Sequence, residues 1–60
     1  MIDWMENHNG EPYHILAVKI DNKWKFSQRL AWEVQWYEAK STPERIAKAE
    51  ELLKAMAPKT

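Results

Sequence analysis

Residues 28–40, Gln-Arg-Leu-Ala-Trp-Glu-Val-Gln-Trp-Tyr-Glu-Ala-Lys, decide the fold, because they read at two periods. At period two, Leu30, Trp32, Val34 and Trp36 alternate with Ala31, Glu33, Gln35 and Tyr37, as in a strand. At helical spacing, Leu30, Val34 and Tyr37 share one face at i, i+4 and i+7, behind Ser27 as an N-cap. Strong helix formers (Gln, Arg, Leu, Ala, Glu, Lys) dominate the stretch. A third strand would also need a tight turn near Ser27-Gln28-Arg29, which contains no Gly, Pro, Asn or Asp. The stretch is therefore read as a helix, with the strand as the alternative.

On its C-terminal side, Thr42 is an N-cap, Pro43 takes the first helical position and Glu44 suits the positive end of the helix dipole. These signals predict a helix over 43–57, ended by Pro58. Ile46, Ala49, Leu53 and Met56 form its buried stripe, with Leu52 beside it. Glu44–Lys48 and Glu50–Lys54 are i, i+4 pairs on the solvated side. Only Ser41 and Thr42 separate the two helices, which predicts a tight antiparallel helical hairpin.

On the N-terminal side, Tyr13 to Ile20 reads as a strand. His14, Leu16, Val18 and Ile20 form one face, and Tyr13, Ile15, Ala17 and Lys19 the other. Both faces are largely apolar, so cover on both sides is expected. Asp21-Asn22-Lys23 is a turn signal. Three loop residues put Ile20 opposite Trp24 and Val18 opposite Phe26, all on one face, whereas a two-residue loop mixes apolar with charged groups. A β-hairpin over 13–26 follows. Residues 1–12 read as an N-terminal arm or a short helical turn, with Asp3 as cap, Trp4 and Met5 on it and Gly10 near its end. The predicted fold is α+β: one 60-residue domain with a β-hairpin packed on a C-terminal helical hairpin. The alternative is a three-stranded antiparallel meander with one C-terminal helix.

Composition bounds the chemistry. Nine Lys and Arg balance nine Asp and Glu, and 45% of residues are hydrophobic, which describes a globular chain and not a disordered one. Neutral overall charge argues against nonspecific nucleic-acid binding. Cysteine is absent, so disulfides, thiolate zinc sites and cysteine nucleophiles are excluded. No apolar run approaches the ~20 residues of a membrane span. Asp3 and Glu6 stand where a signal peptide needs positive charge, so a cytoplasmic location is expected. The compensation for a small core is aromatic: Trp4, Trp24, Trp32, Trp36, Tyr13, Tyr37 and Phe26.

The nucleophile inventory is thin, since Ser27, Ser41 and Thr42 all stand where caps and turns want hydroxyls. His8 and His14, six residues apart across Pro12, have only Glu11 nearby and no third ligand at recognisable spacing. Glu50 and Glu51 point about 100° apart on a helix and cannot share a bond to be cleaved. Neither an enzyme, a metal site, a cofactor nor a small-molecule substrate is expected.

Two surfaces stand out. On the helical reading, Trp32, Trp36 and Ala39 lie nearly opposite Leu30, Val34 and Tyr37. They make a second apolar stripe that only Ile2, Trp4 and Met5 are left to cover. This stripe is read as a partner-binding surface, with a symmetric homodimer as the simplest arrangement. Residues 19–29 hold Lys19, Lys23, Lys25 and Arg29 against Asp21 alone, with Trp24 interleaved. That hairpin tip is read as the candidate contact for nucleic acid or an acidic partner. The expected function is a small non-enzymatic protein-interaction module of the regulatory or phage-inhibitor kind, self-associating or docking on a partner. The alternative is a small DNA- or RNA-binding protein using the basic tip.

Overall fold

Asn9 and Gly10 take positive φ of 54° and 88°, and Asp21 and Asn22 take 52° and 63°. Positive φ at both central residues is the signature of a two-residue type I′ hairpin turn, whose twist matches that of the flanking strands. These two turns organise the computed structural model, which describes residues 1–56. Strand β1 (Ile2–His8) turns into β2 (Glu11–Ile20), and β2 into β3 (Lys23–Leu30). A short β4 (Tyr37–Ala39) follows, then helix α1 (Pro43–Met56). The four strands pair in chain order as an antiparallel meander.

The expected class, α+β, holds, but the helical hairpin does not form; the one-helix alternative fits. Residues 28–30 continue β3, with Gln28 opposite Ile15, Arg29 opposite His14 and Leu30 opposite Tyr13. Local helix propensity, a few tenths of a kcal/mol per residue, loses here to a ladder that the long β2 offers along the whole of β3. The missing turn residues at 27–29 do not matter, because the chain reverses later, over 31–36. There the Ala31 N–H donates to the Pro12 carbonyl at 3.0 Å and the Glu33 N–H to the Leu30 carbonyl at 2.9 Å. Arg29 Nη1 donates to the Glu33 carbonyl at 2.6 Å, so a side chain pins the loop in place of a glycine or proline.

Residues 1–12 are not an arm. Ile2 to His8 pair with Ala17 down to Glu11, and Asn7 Oδ1 accepts the Gly10 N–H at 2.8 Å to brace the turn. The 21–23 loop is one residue shorter than expected. Ile20 faces Lys23 and Val18 faces Lys25, so Ile20 and Trp24 lie on opposite faces of the sheet.

Helix α1 covers the face that carries Ile2, Trp4 and Glu6 of β1, Tyr13, Ile15 and Ala17 of β2, and Trp24 and Phe26 of β3. Ile15, Ala17, Phe26 and Ala49 are buried there, with Trp4, Tyr13, Trp24 and Ala39 packed around them. Trp4 and Trp24 flank Phe26, each with its ring centroid 6.3 Å away. The helix start is as read: Thr42 Oγ1 accepts the Arg45 N–H at 3.2 Å and its carbonyl accepts the Ile46 N–H at 2.9 Å. The buried stripe is rotated from the expected one. Arg45, Ala49 and Leu52 carry it, while Ile46, Leu53 and Met56 are exposed. The expected helix end at 57–58 lies outside the described residues.

Candidate functional site

Among the described residues, no helix or strand covers the sheet face away from α1. Strand alternation and register put Asp3 and Met5 of β1 on it, with His14, Leu16, Val18 and Ile20 of β2. Lys23, Lys25, Ser27 and Arg29 of β3 and Glu38 of β4 complete the surface. Its middle is apolar: Leu16 and Val18 are half-buried, Ile20 is 50% exposed and Met5 55%. Beside these runs a polar row on β3, in which Lys23 stands next to Ile20, Lys25 next to Val18 and Ser27 next to Leu16.

One end of this face is closed by a stack. Trp36 leaves the 31–36 connection and lies over the sheet, its ring 5.0 Å from that of His14 and 4.8 Å from the Arg29 guanidinium carbon. His14 Nε2 is 2.7 Å from Asp3 Oδ2. A cation against an indole face and a carboxylate against an imidazole edge thus fix Trp36. The rest of the connection is open to solvent: Trp32 is 65% exposed and Val34 91%.

The sequence-derived residues divide between the two faces. Trp36 is half-buried on the open side and Trp32 stands in the adjacent loop, but Ala39 packs against the core on the covered side. The three do not form one stripe, because the helix that would have aligned them is absent. Of the five tip residues, Lys23, Lys25 and Arg29 share the open face. Lys19 and Trp24 belong to the other, where Lys19 Nζ and Trp24 Nε1 donate to Glu50 Oε2 at 3.2 and 2.8 Å. The Lys19 ammonium also sits 5.6 Å from the Trp24 ring centre. Those bonds, Trp24 first, hold the Glu50 carboxyl below its ordinary pKa, and they draw Glu50 away from its expected Lys54 partner. Sequence reasoning missed Met5, Leu16, Val18 and Ile20 as surface. The available signal was the alternation Lys23-Trp24-Lys25-Phe26: a strand that buries its aromatics must turn its lysines, and their cross-strand neighbours, outward.

A second polar cluster lies on the helix side. Glu6 accepts from Trp4 Nε1 at 2.9 Å and from Arg45 Nε and Nη2 at 3.3 and 3.2 Å, and lies 2.8 Å from His8 Nε2. Burial pushes the Glu6 carboxyl up, but the bonds from Arg45, Trp4 and His8 and the Arg45 charge outweigh it and leave its pKa at about 2. Arg45 also donates from Nη1 to the Lys40 carbonyl at 2.9 Å. Within this cluster the two Arg45–Glu6 bonds tie β1 to the start of α1, while Trp4 and His8 hold the Glu6 carboxylate from its own strand. His8 and His14 therefore sit on opposite faces of the sheet, each beside one carboxylate. Among the described residues no three His, Asp or Glu side chains converge, and no helix is long and apolar enough to cross a membrane.

Compared with known protein families, curated proteins and solved structures, the chain matches none.

Proposed function

We propose that this chain is a small, non-enzymatic protein-interaction module that docks through the open face of its sheet and so regulates or inhibits a partner. The observation that carries this reading is the row Leu16, Val18, Ile20 on the sheet face away from α1, with half-exposed Met5 diagonal to Leu16. An apolar stripe left open on a sheet face is the usual character of an interface, and Trp36, stacked at the His14 end of the same face, is of the residue type enriched at binding hot spots. A nucleic-acid contact at the hairpin tip has less support, because Trp24 and Lys19 are engaged by Glu50 on the far side.

The test compares the wild type with a Met5→Glu, Ile20→Glu double variant as baits under nuclease treatment. Both side chains are half exposed, so the fold is expected to survive, as circular dichroism will check. A defined protein held by the wild type and lost from the variant supports the reading. Retention that disappears with nuclease, or that the variant keeps in full, overturns it.

A further inference from the structure

We infer that the occupant of the open face is an amphipathic helical segment of another protein with an acidic flank; this rests on the reading that the face docks a protein. The surface consists of two parallel stripes about 4.8 Å apart, one on β2 and one on β3. The β2 stripe, Leu16–Val18–Ile20, is wholly apolar, and the β3 stripe begins Lys23–Lys25. Residues on one face of a strand recur every ~6.8 Å and the turns of a helix laid along it every ~5.4 Å, so an apolar ridge meets the Leu16–Val18–Ile20 stripe without strict register. A helix about 10 Å across spans both stripes, with its apolar ridge on β2 and the adjoining flank over β3. The sheet then gains on this side the layer that α1 supplies on the other.

Charge selects the flank. Lys23 and Lys25 are exposed and make no ion pair among the described residues, whereas Lys19 on the covered side is held by Glu50. Of the carboxylates on the face, Asp3 is already engaged by His14, which leaves Glu38 on the β4 edge. A second copy of the chain is a poorer occupant, because Glu38 is the one carboxylate its own open face has left to offer Lys23 and Lys25. A nucleic-acid backbone finds nothing to contact on the apolar β2 stripe.

The experiment uses the full chain and two synthetic helical peptides with the same leucine stripe, one flanked by Glu and the other by Lys, with duplex DNA as a third probe. Amide shifts of the 15N-labelled protein report the binding position. The Glu peptide is expected to shift Val18, Ile20, Lys23 and Lys25, with affinity falling as salt is raised. The Lys23→Glu, Lys25→Glu variant is expected to bind it roughly tenfold more weakly and to gain affinity for the Lys peptide. Equal binding of both peptides at this face, or binding of DNA there, overturns the inference about charge while leaving or removing the docking reading respectively. No shift at Val18 and Ile20 with either peptide, in a wild type whose bait still loses its partner on Met5→Glu, Ile20→Glu, overturns the helical occupant alone.

Discussion

Glu6 shows how one side chain is set by three neighbours. Trp4 and His8 lie two residues to either side on the same strand face, so both reach its carboxylate, and Arg45 meets it from the first turn of α1. The side chains of Glu6 and Arg45 are 24% and 12% exposed, so water competes only in part. Glu6→Gln removes the charge and one acceptor geometry, and is expected to cost about 1–2 kcal/mol, or roughly 5–15 °C in Tm for a domain of this size. The pH dependence has a definite sign. The folded pKa, about 2, lies below the ordinary value of an unfolded glutamate, so the stabilisation is complete above about pH 5 and is lost as pH falls toward 2. Glu50 shifts the same way and adds to the effect. Urea titrations from pH 7 to 2 should show wild-type stability falling through this window and Glu6→Gln with a visibly shallower slope. Gly10 offers a separate test. A Cβ built there meets nothing within 4 Å, so the whole cost of Gly10→Ala is its φ of +88°. That cost is expected to be about 1–2 kcal/mol, read as a shift in the urea midpoint with an unchanged m-value.

At the scale of elements, α1 was legible and the strands were half legible. Thr42, Pro43 and Glu44 act locally, and local signals survive folding. The contact face of α1 was not legible, because Arg45 is drawn inward by Glu6, a partner 39 residues away. Residues 28–30 could not be assigned from their own composition, since the deciding interaction is the ladder with Tyr13, His14 and Ile15. β1 was missed for a different reason. Its covered face alternates Ile2, Trp4, Glu6, His8, so the apolar pattern stops after Trp4, and Glu6 is accommodated there by its bonds from Arg45, Trp4 and His8. The Asn9-Gly10 pair was nevertheless a strong hairpin signal, and it sat between residues that do pair. The open face was obscured by the one-residue error at Asp21-Asn22, since a single slip turns every side chain of a strand over. The element content itself is measurable. With α1 at 14 of 60 residues, far-UV circular dichroism is expected to show roughly a quarter helix. A value near one half would restore the helix over 28–40.

For the whole molecule, the sheet and the helix are unequally secured. β2 is paired with β1 over Glu11–Ala17 and with β3 over Tyr13–Ile20, and Ile15 and Ala17, paired on both sides, are completely buried. Helix α1 has one fully buried residue, Ala49, with Leu52 half-buried beside it, and otherwise holds the sheet through Arg45–Glu6 near its start and Glu50 with Trp24 and Lys19 at mid-length. Polar anchors open in part to water hold a helix less firmly than buried apolar packing does. A fourteen-residue helix is also marginal in water by itself, so once undocked it melts. The molecule should therefore open in two steps, α1 first and the meander afterwards. Native-state hydrogen exchange is expected to show α1 amides exchanging through an opening with a small denaturant dependence, roughly 1–3 kcal/mol below the global value. The amides of Ile15 and Ala17 should exchange only by global unfolding, with the full m-value. Merging of the α1 and β2 amides into one isotherm across the denaturant series would mean that the helix is integral to the sheet's stability. The covered face would then owe its order to α1, and Glu6→Gln would lower a single cooperative transition in place of the helix opening.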